Sequence, residues 1–254
     1  MSGVDLGILV DYLDSYLEAG KGRDYCPNGL QVEGRRRVHR LITAVSACRR
    51  LFEQAQDRGA DAVLVHHGLF WEGDSRALVG TQFRRVAELI RSEISLLAYH
   101  LPLDRHPELG NNALAARLLG LVEIEPFAFH DGLPLGYRGR FATAVPAGEF
   151  VERVRALYAQ EPLAFLAGPD PVETVGIVSG AAERQVHTAI AAGLDAYVTG
   201  EATEWVKNLV EEAGIHYLAC GHYATERLGV RALGEHLAER FDLEVEFLDL
   251  PNPV

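Results

Sequence analysis

Three short apolar runs stop abruptly at residue types that bind metals, and that pattern restricts the fold more than any other feature of the chain. VLVHHGLFW (63–71) ends in His66, His67 and Gly68. LLAYHLPLD (96–104) ends in His100 and Asp104, and YLACGHYATE (217–226) ends in His222 and Glu226. Each reads as a buried strand that delivers polar side chains where it stops. In open α/β sheets, ligands gather at the carboxyl ends of the strands. Several strands bringing His, Asp and Glu to one sheet edge is the arrangement expected of a metal centre.

The rest of the chain fits an α/β fold with largely parallel sheets. Strand-like runs at 40–47, 60–65, 94–99, 174–179, 196–199 and 216–220 alternate with helical patterns at 5–19, 48–58, 82–91, 184–192, 203–213 and 225–241. Further strands are expected at 138–145 and 164–167 around a helix at 149–158, and LEVEFLDL closes the chain as a strand. Asn111 or Asn112 is expected to cap a helix through Leu119. The stretch 126–139 reads as the least regular part. Residues 41–67 and 175–201 share an order: strand, Ser46 or Ser179, helix, Gly59 or Gly193, Asp61 or Asp195, strand, then His67 or Glu201. This suggests two similar α/β halves, 1–125 and 126–254, facing each other with a metal site in the cleft between them.

Composition narrows the function. The chain has 254 residues and a formal net charge of -12, which disfavours nonspecific nucleic-acid binding because that needs basic surface. It contains no uncharged apolar run of about 20 residues, the length that spans a bilayer. Its first 20 residues read as an amphipathic helix with no basic n-region, not as a signal peptide. Cys26, Cys48 and Cys220 form no C-x-x-C pair, which fits a reducing cytoplasm.

His66 and His67 are neighbours, so both reach one site only where the strand ends, and Gly68 permits that turn. Adjacent histidines can also serve two different ions. Pro102 bars a regular helix between His100 and Asp104. Asp104 is either a ligand or a brace for its loop, and His100 a ligand, a hydrogen-bond partner of a ligand or a substrate contact; His106 is an even choice between site and loop. His222 and Glu226 are four apart, which on a helix places both on one face, with Thr225 able to add a hydrogen bond. Glu201 occupies the position matching His67 and is a base near the site, a substrate contact or a helix N-terminal acid. Two carboxylates and three imidazoles suit two divalent ions with open positions, drawn from zinc, manganese, iron, cobalt and nickel. The sequence has no P-loop, G-x-G-x-x-G, G-x-S-x-G or H-E-x-x-H.

Taken together, PNGLQVEG (27–34), VHHGLFW (65–71), HLPLD (100–104), HPELGNNA (106–113), VTGE (198–201), GHYATE (221–226) and the closing PNP (251–253) resemble the GTP cyclohydrolase I type 2 / Nif-three family of dinuclear metal-centre proteins. The resemblance runs nearly end to end. It implies two α/β halves with a two-metal site, and a toroidal homohexamer built as a trimer of dimers. It implies His66, His67, Asp104, His222 and Glu226 as ligands, with Glu226 bridging. Longer members carry an inserted domain for which the span between HPELGNN and VTGE is too short. Leu101 and Pro102 stand where the family often has Thr-Asn, so a substrate contact made by that pair does not carry over.

The activity expected from these features is a metal-dependent hydrolase of a small, nucleotide-like molecule, with Glu201 or His100 as proton shuttle. A nonenzymatic metal-binding scaffold or metal-delivery protein is the main alternative. A ring threaded by single-stranded nucleic acid would need Arg35, Arg36 and Arg37 to line its hole.

Overall fold

The structure, a computed structural model, describes residues 3–254. β1 (Val4–Asp5) leads into α1 (Leu6–Tyr16), whose N-terminus is capped by the Asp5 carboxylate on Gly7 N at 3.0 Å. There follow β2 (Gly29–Val32), β3 (Arg37–Val38), β4 (Arg40–Ser46), α2 (Arg49–Asp57), β5 (Ala62–His67), α3 (Gly80–Ser92), β6 (Ser95–Ala98) and the single turn α4 (Leu101–Asp104). β4, β5 and β6 pair in parallel, and β2 runs antiparallel along β6. The central strands are almost wholly apolar because both of their faces are covered. Ile42, Ala44, Val63, Val65, Leu96 and Ala98 pack against Leu51, Phe52 and Ala55 of α2 and Val86 and Leu89 of α3.

The next stretch holds α5 (Asn111–Leu118), β7 (Leu121–His130), β8 (Leu133–Val145), α6 (Ala147–Tyr158), β9 (Leu163–Leu166), β10 (Val172–Ile177), α7 (Val186–Ala191), β11 (Ala196–Thr199), α8 (Glu204–Ala213), β12 (His216–Ala219) and the turn α9 (His222–Thr225). Its six-stranded sheet has the order β7-β8-β10-β11-β12-β9. β10, β11 and β12 are parallel, and β9 is antiparallel to β12. One face packs Val175, Ala196, Val198 and Leu218 under Phe150, Val154 and Tyr158 of α6. The other packs Tyr197 and Tyr217 under Val186 and Ala189 of α7 and Val206 and Val210 of α8.

The stretch 126–139, read from sequence as irregular, is instead the core of the β7–β8 hairpin. His130 pairs with Leu133 across a two-residue turn, Asp131–Gly132, with both φ values positive, at 51° and 78°. Asp-Gly is the pairing that such a turn favours. The short polar signal was present, but Pro126 and Pro134 hid the strands on either side.

The chain closes with α10 (Arg227–Phe241) and β13 (Glu244–Phe247). β13 pairs in parallel with β4, from Glu244 against Arg40 to Phe247 against Thr43. Residues 1–103 and 229–250 therefore form one compact unit, and 104–228 with 251–254 the other. The expected boundary at 125/126 lies inside β7.

The two sheets share a wiring scheme. In the first unit the Asp61 carboxylate accepts the His39 and Arg40 amides at 2.8 and 3.0 Å, where β4 begins. In the second, Asp195 accepts Glu173 N and Thr174 N at 2.9 and 2.8 Å, where β10 begins. Ser95 N donates to Asp61 O, and His216 N to Asp195 O. Gly34 N donates to the Ser95 side chain, and Gly168 N to that of His216. The order common to 41–67 and 175–201 thus has a counterpart in hydrogen bonds within each unit.

Candidate metal centre

The first unit gathers three imidazoles at the ends of β5 and β6. β5 includes both His66 and His67, whereas the sequence placed the end of that strand at Val65. Pairing with β6 stops at Val65–Ala98, and pairing with β4 skips a residue before Ser46–His67. Released from a flat ladder, the two neighbouring rings come to 4.7 Å instead of facing apart. His100 lies 5.0 Å from His66 and 5.6 Å from His67, ring to ring. One ring nitrogen from each lies within 4.8 Å of those of the other two. Trp71 walls the group, 5.7 Å from His67 and edge-on to His100 at 5.2 Å.

Each of these rings is held from behind. His66 Nδ1 donates to Tyr99 O at 3.1 Å, and His67 Nδ1 pairs with Ser46 Oγ at 3.0 Å. His100 Nδ1 donates to the Asp24 carboxylate at 2.7 Å. A carbonyl or carboxylate oxygen behind Nδ1, as at His66 and His100, selects the tautomer whose lone pair sits on Nε2, the form that binds a metal or takes a proton. The Ser46 hydroxyl, by contrast, can donate or accept and fixes only the orientation of His67.

The second unit holds the other expected residues. His222 opens α9, and Glu226 sits at the joint between α9 and α10 with φ -110° and ψ 5°. The two are therefore not on one continuous helix, yet His222 Nε2 and Glu226 Oε2 are 3.2 Å apart. Glu201, in the loop before α8, accepts from His222 Nδ1 at 2.5 Å. Burial alone would lower the His222 pKa, but Glu226 and then Glu201 outweigh it and push it up to about 9. Gly180 (φ +69°) lies against Glu226: a Cβ there would be 2.4 Å from Glu226 Oε1. Thr225 Oγ1 accepts Gly180 N and donates to Gly221 O, both at 3.0 Å, tying the turn together.

Asp104 is 6% exposed and accepts from Asn111 Nδ2 at 2.8 Å and Ser179 Oγ at 3.0 Å. Pro102 is accommodated in the first turn of α4, where its missing N–H costs nothing, so the segment is one helical turn and not an open loop. Gly110, not an asparagine, occupies the N-cap of α5. The Asn111 amide goes to Asp104, and Asn112 Oδ1 accepts Ser179 N at 2.7 Å. His106 Nδ1 accepts Glu108 N and Leu109 N at 3.3 and 3.1 Å and so braces its own loop.

Over residues 4–253 the sequence matches the family Duf34/NIF3 (NGG1p interacting factor 3). The chain belongs to this family. A Duf34/NIF3 relative from Pseudomonas aeruginosa, called GTP cyclohydrolase 1 type 2 homolog, is 45% identical over 250 residues, covering 98% of this chain and 99% of that protein. The solved structure of protein ybgI, described as of unknown function, superposes with a TM-score of 0.93 at 40% identity and covers 99% of this chain and 100% of its own. TTHA1606 from Thermus thermophilus gives 0.89 at 40% identity, with the same coverage.

Within this Duf34/NIF3 chain the residue types could hold a metal ion: imidazoles with Nδ1 engaged, the buried Asp104 carboxylate held by neutral donors, and the buried Glu226 carboxylate beside His222. Sequence reasoning missed the residues behind the donors, namely Asp24, Asn28, Ser46, Ser179 and the two asparagines in their true role. Asn28 and the two asparagines lay in the motifs 27–34 and 106–113, and Ser46 and Ser179 at matching places of the repeated order, but Asp24 carried no signal. No helix among the described residues is long and apolar enough to cross a membrane.

Proposed function

We propose that this protein is a dinuclear metal-dependent hydrolase of a small molecule, with nucleotides, GTP first, as the leading substrate class. In this reading His66, His67, Asp104, His222 and Glu226 would hold the ions. The observation that carries it is the engagement of the atom behind each histidine donor: Tyr99 O behind His66, Ser46 Oγ behind His67 and the Glu201 carboxylate behind His222. Such backing raises ligand basicity and fixes ring orientation. The family and the name of the Pseudomonas aeruginosa relative support the substrate class.

Divalent ions, if held there, would supply Lewis-acid polarisation and a lowered water pKa. The chain supplies the rest. His100, with Nδ1 committed to Asp24, takes a proton at Nε2 and returns it to the leaving group. Glu201, the other candidate for that proton, is engaged by His222 Nδ1, so its part is to orient His222. A cytoplasmic homohexamer completes the reading. Leu163 and Leu166, 55% and 54% exposed on the sheet-edge strand β9, offer an apolar surface for assembly.

The test is elemental analysis of protein purified without chelators or a histidine tag, with wild type beside His67→Ala and Glu226→Ala, followed by a hydrolysis panel. About two ions per wild-type chain, lost in the variants, with turnover that follows the metal, is the expected result. A wild-type protein that takes up no divalent ion, even on adding ions back, rejects the reading. Bound metal with no turnover across the panel selects the nonenzymatic scaffold instead.

A further inference from the structure

The segment 24–31, of which only the Asp24–His100 contact has been given a use so far, converges on the histidine-bearing segments of the first unit. Asp24 is its centre, with a side chain only 8% exposed. Its Oδ1 accepts Tyr25 N at 2.6 Å and His100 Nδ1 at 2.7 Å. Its Oδ2 accepts Asn28 Nδ2 at 2.9 Å and Leu101 N at 3.0 Å. Asn28 Oδ1 in turn accepts His100 N at 2.8 Å. Ring and backbone of His100 are thus held by two side chains more than seventy residues earlier in the sequence. Gln31 does the same for the neighbouring segment: its Oε1 accepts Leu69 N, just after the histidine pair, and its Nε2 donates to Pro27 O, both at 2.8 Å.

We propose that Asp24 is a positioning residue that fixes His100, whose ring lies 5.0 Å from His66 and 5.6 Å from His67, in the Nδ1–H tautomer, so that Nε2 is left as the ring's acceptor and is the atom that exchanges protons with substrate. This rests on the hydrolase reading for its use, but not for its existence. The decisive feature is that both Asp24 oxygens receive only donors. An asparagine has the same shape but must turn an NH2 toward one of those two sides. Facing His100, it forces Nδ1 to accept and moves the ring proton to Nε2, which destroys the acceptor. Facing Leu101 N and Asn28 Nδ2, it sets donor against donor and loosens the backbone that carries His100. A purely structural acid would not control where the imidazole proton sits.

The experiment is magic-angle-spinning 15N spectroscopy of histidine-labelled protein, in metal-free and zinc-loaded forms. His100→Gln assigns the resonance, and Asp24→Asn provides the perturbation. The expected wild-type result is a protonated Nδ1 with a strongly hydrogen-bonded proton and an unprotonated Nε2. In Asp24→Asn that proton signal is lost or the tautomer inverts, zinc content stays at the wild-type level, and turnover falls about 10–100-fold with KM unchanged. A wild-type His100 protonated only at Nε2 overturns the proposal, and so does an Asp24→Asn spectrum identical to wild type. The wild-type spectrum decides even if the variant does not fold. Failure to take up zinc or to turn over any substrate, with the wild-type spectrum as expected, sinks the hydrolase reading and leaves the Asp24–His100 pair standing.

Discussion

Replacing Asp61 by alanine tests whether one buried carboxylate sets the start of the first sheet. Asp61 is 8% exposed; its Oδ2 holds the amides of His39 and Arg40, and its Oδ1 receives Arg35 Nη1 at 3.3 Å. Hydrogen bonds to a charged group contribute roughly 1.5–3 kcal/mol each, and the partly exposed Arg35 pair adds little. Taking the lower part of that range for each, because water can reach the vacated site at the strand start, losing the two amide bonds should cost about 3–4 kcal/mol. Asparagine keeps an acceptor for both amides but presents its NH2 to Arg35, and should cost about half as much. At about 2 °C per kcal/mol for a chain of this size, Asp61→Ala melts about 6–8 °C lower. The assay is thermal and urea unfolding of chelator-treated protein at pH 7, followed by circular dichroism. Burial pushes the Asp61 pKa up, but the Arg40 and His39 amides and Arg35 outweigh it and hold it below the ordinary value of 3.8. The stabilisation is thus present above that value and fades as pH falls through the lowered one, so wild type and variant should converge in acid. An Asp61→Ala protein within about 0.5 kcal/mol of wild type, or an asparagine as costly as alanine, would refute the argument.

Three other outcomes follow from the second unit. Gly180→Ala combines a left-handed φ with a Cβ pressed on Glu226, so it should lower stability by roughly 1–2 kcal/mol and weaken metal uptake, read by calorimetric titration with zinc. His222, with its pKa raised to about 9, stabilises metal-free protein fully below pH 6.5 and loses that contribution as pH climbs to 9; denaturation midpoints should fall across this window by up to about 3 kcal/mol, and Glu201→Gln should shrink the fall. Asp195→Ala should destabilise by less than Asp61→Ala, since Asp195 is only half-buried; equal or larger loss in the urea midpoint would contradict this.

Much of the architecture was legible because buried parallel strands are conspicuous: Ile42–Val45, Val63–Val65 and Tyr197–Thr199 are mostly apolar, buried on both faces and bounded by turn residues. Ligand-type residues stood out because they follow such strands directly. The hairpin was hidden, since β7 and β8 alternate weakly and carry prolines. The supports were hidden for a different reason. Asp24 and Asn28 meet His100 through long-range contacts, and no local periodicity encodes a partner more than seventy residues away. The two asparagines misled because Asn is a common N-cap, and only the fold shows that Asp104 and Ser179 claim their amides.

The pairing of β13 with β4 has a consequence for biosynthesis. A ribosome releases β4 early, but the strand that completes its outer edge emerges only after the whole contiguous 104–228 segment has been made. Until then the nascent chain presents an unpaired, apolar parallel edge, the kind of surface that recruits other strands. Slow closure of so distant a contact makes this interval the time when the chain most needs protection from aggregation. Released chains truncated before residue 244 should therefore be strong holdase clients, and released chains extended through 250 weak ones.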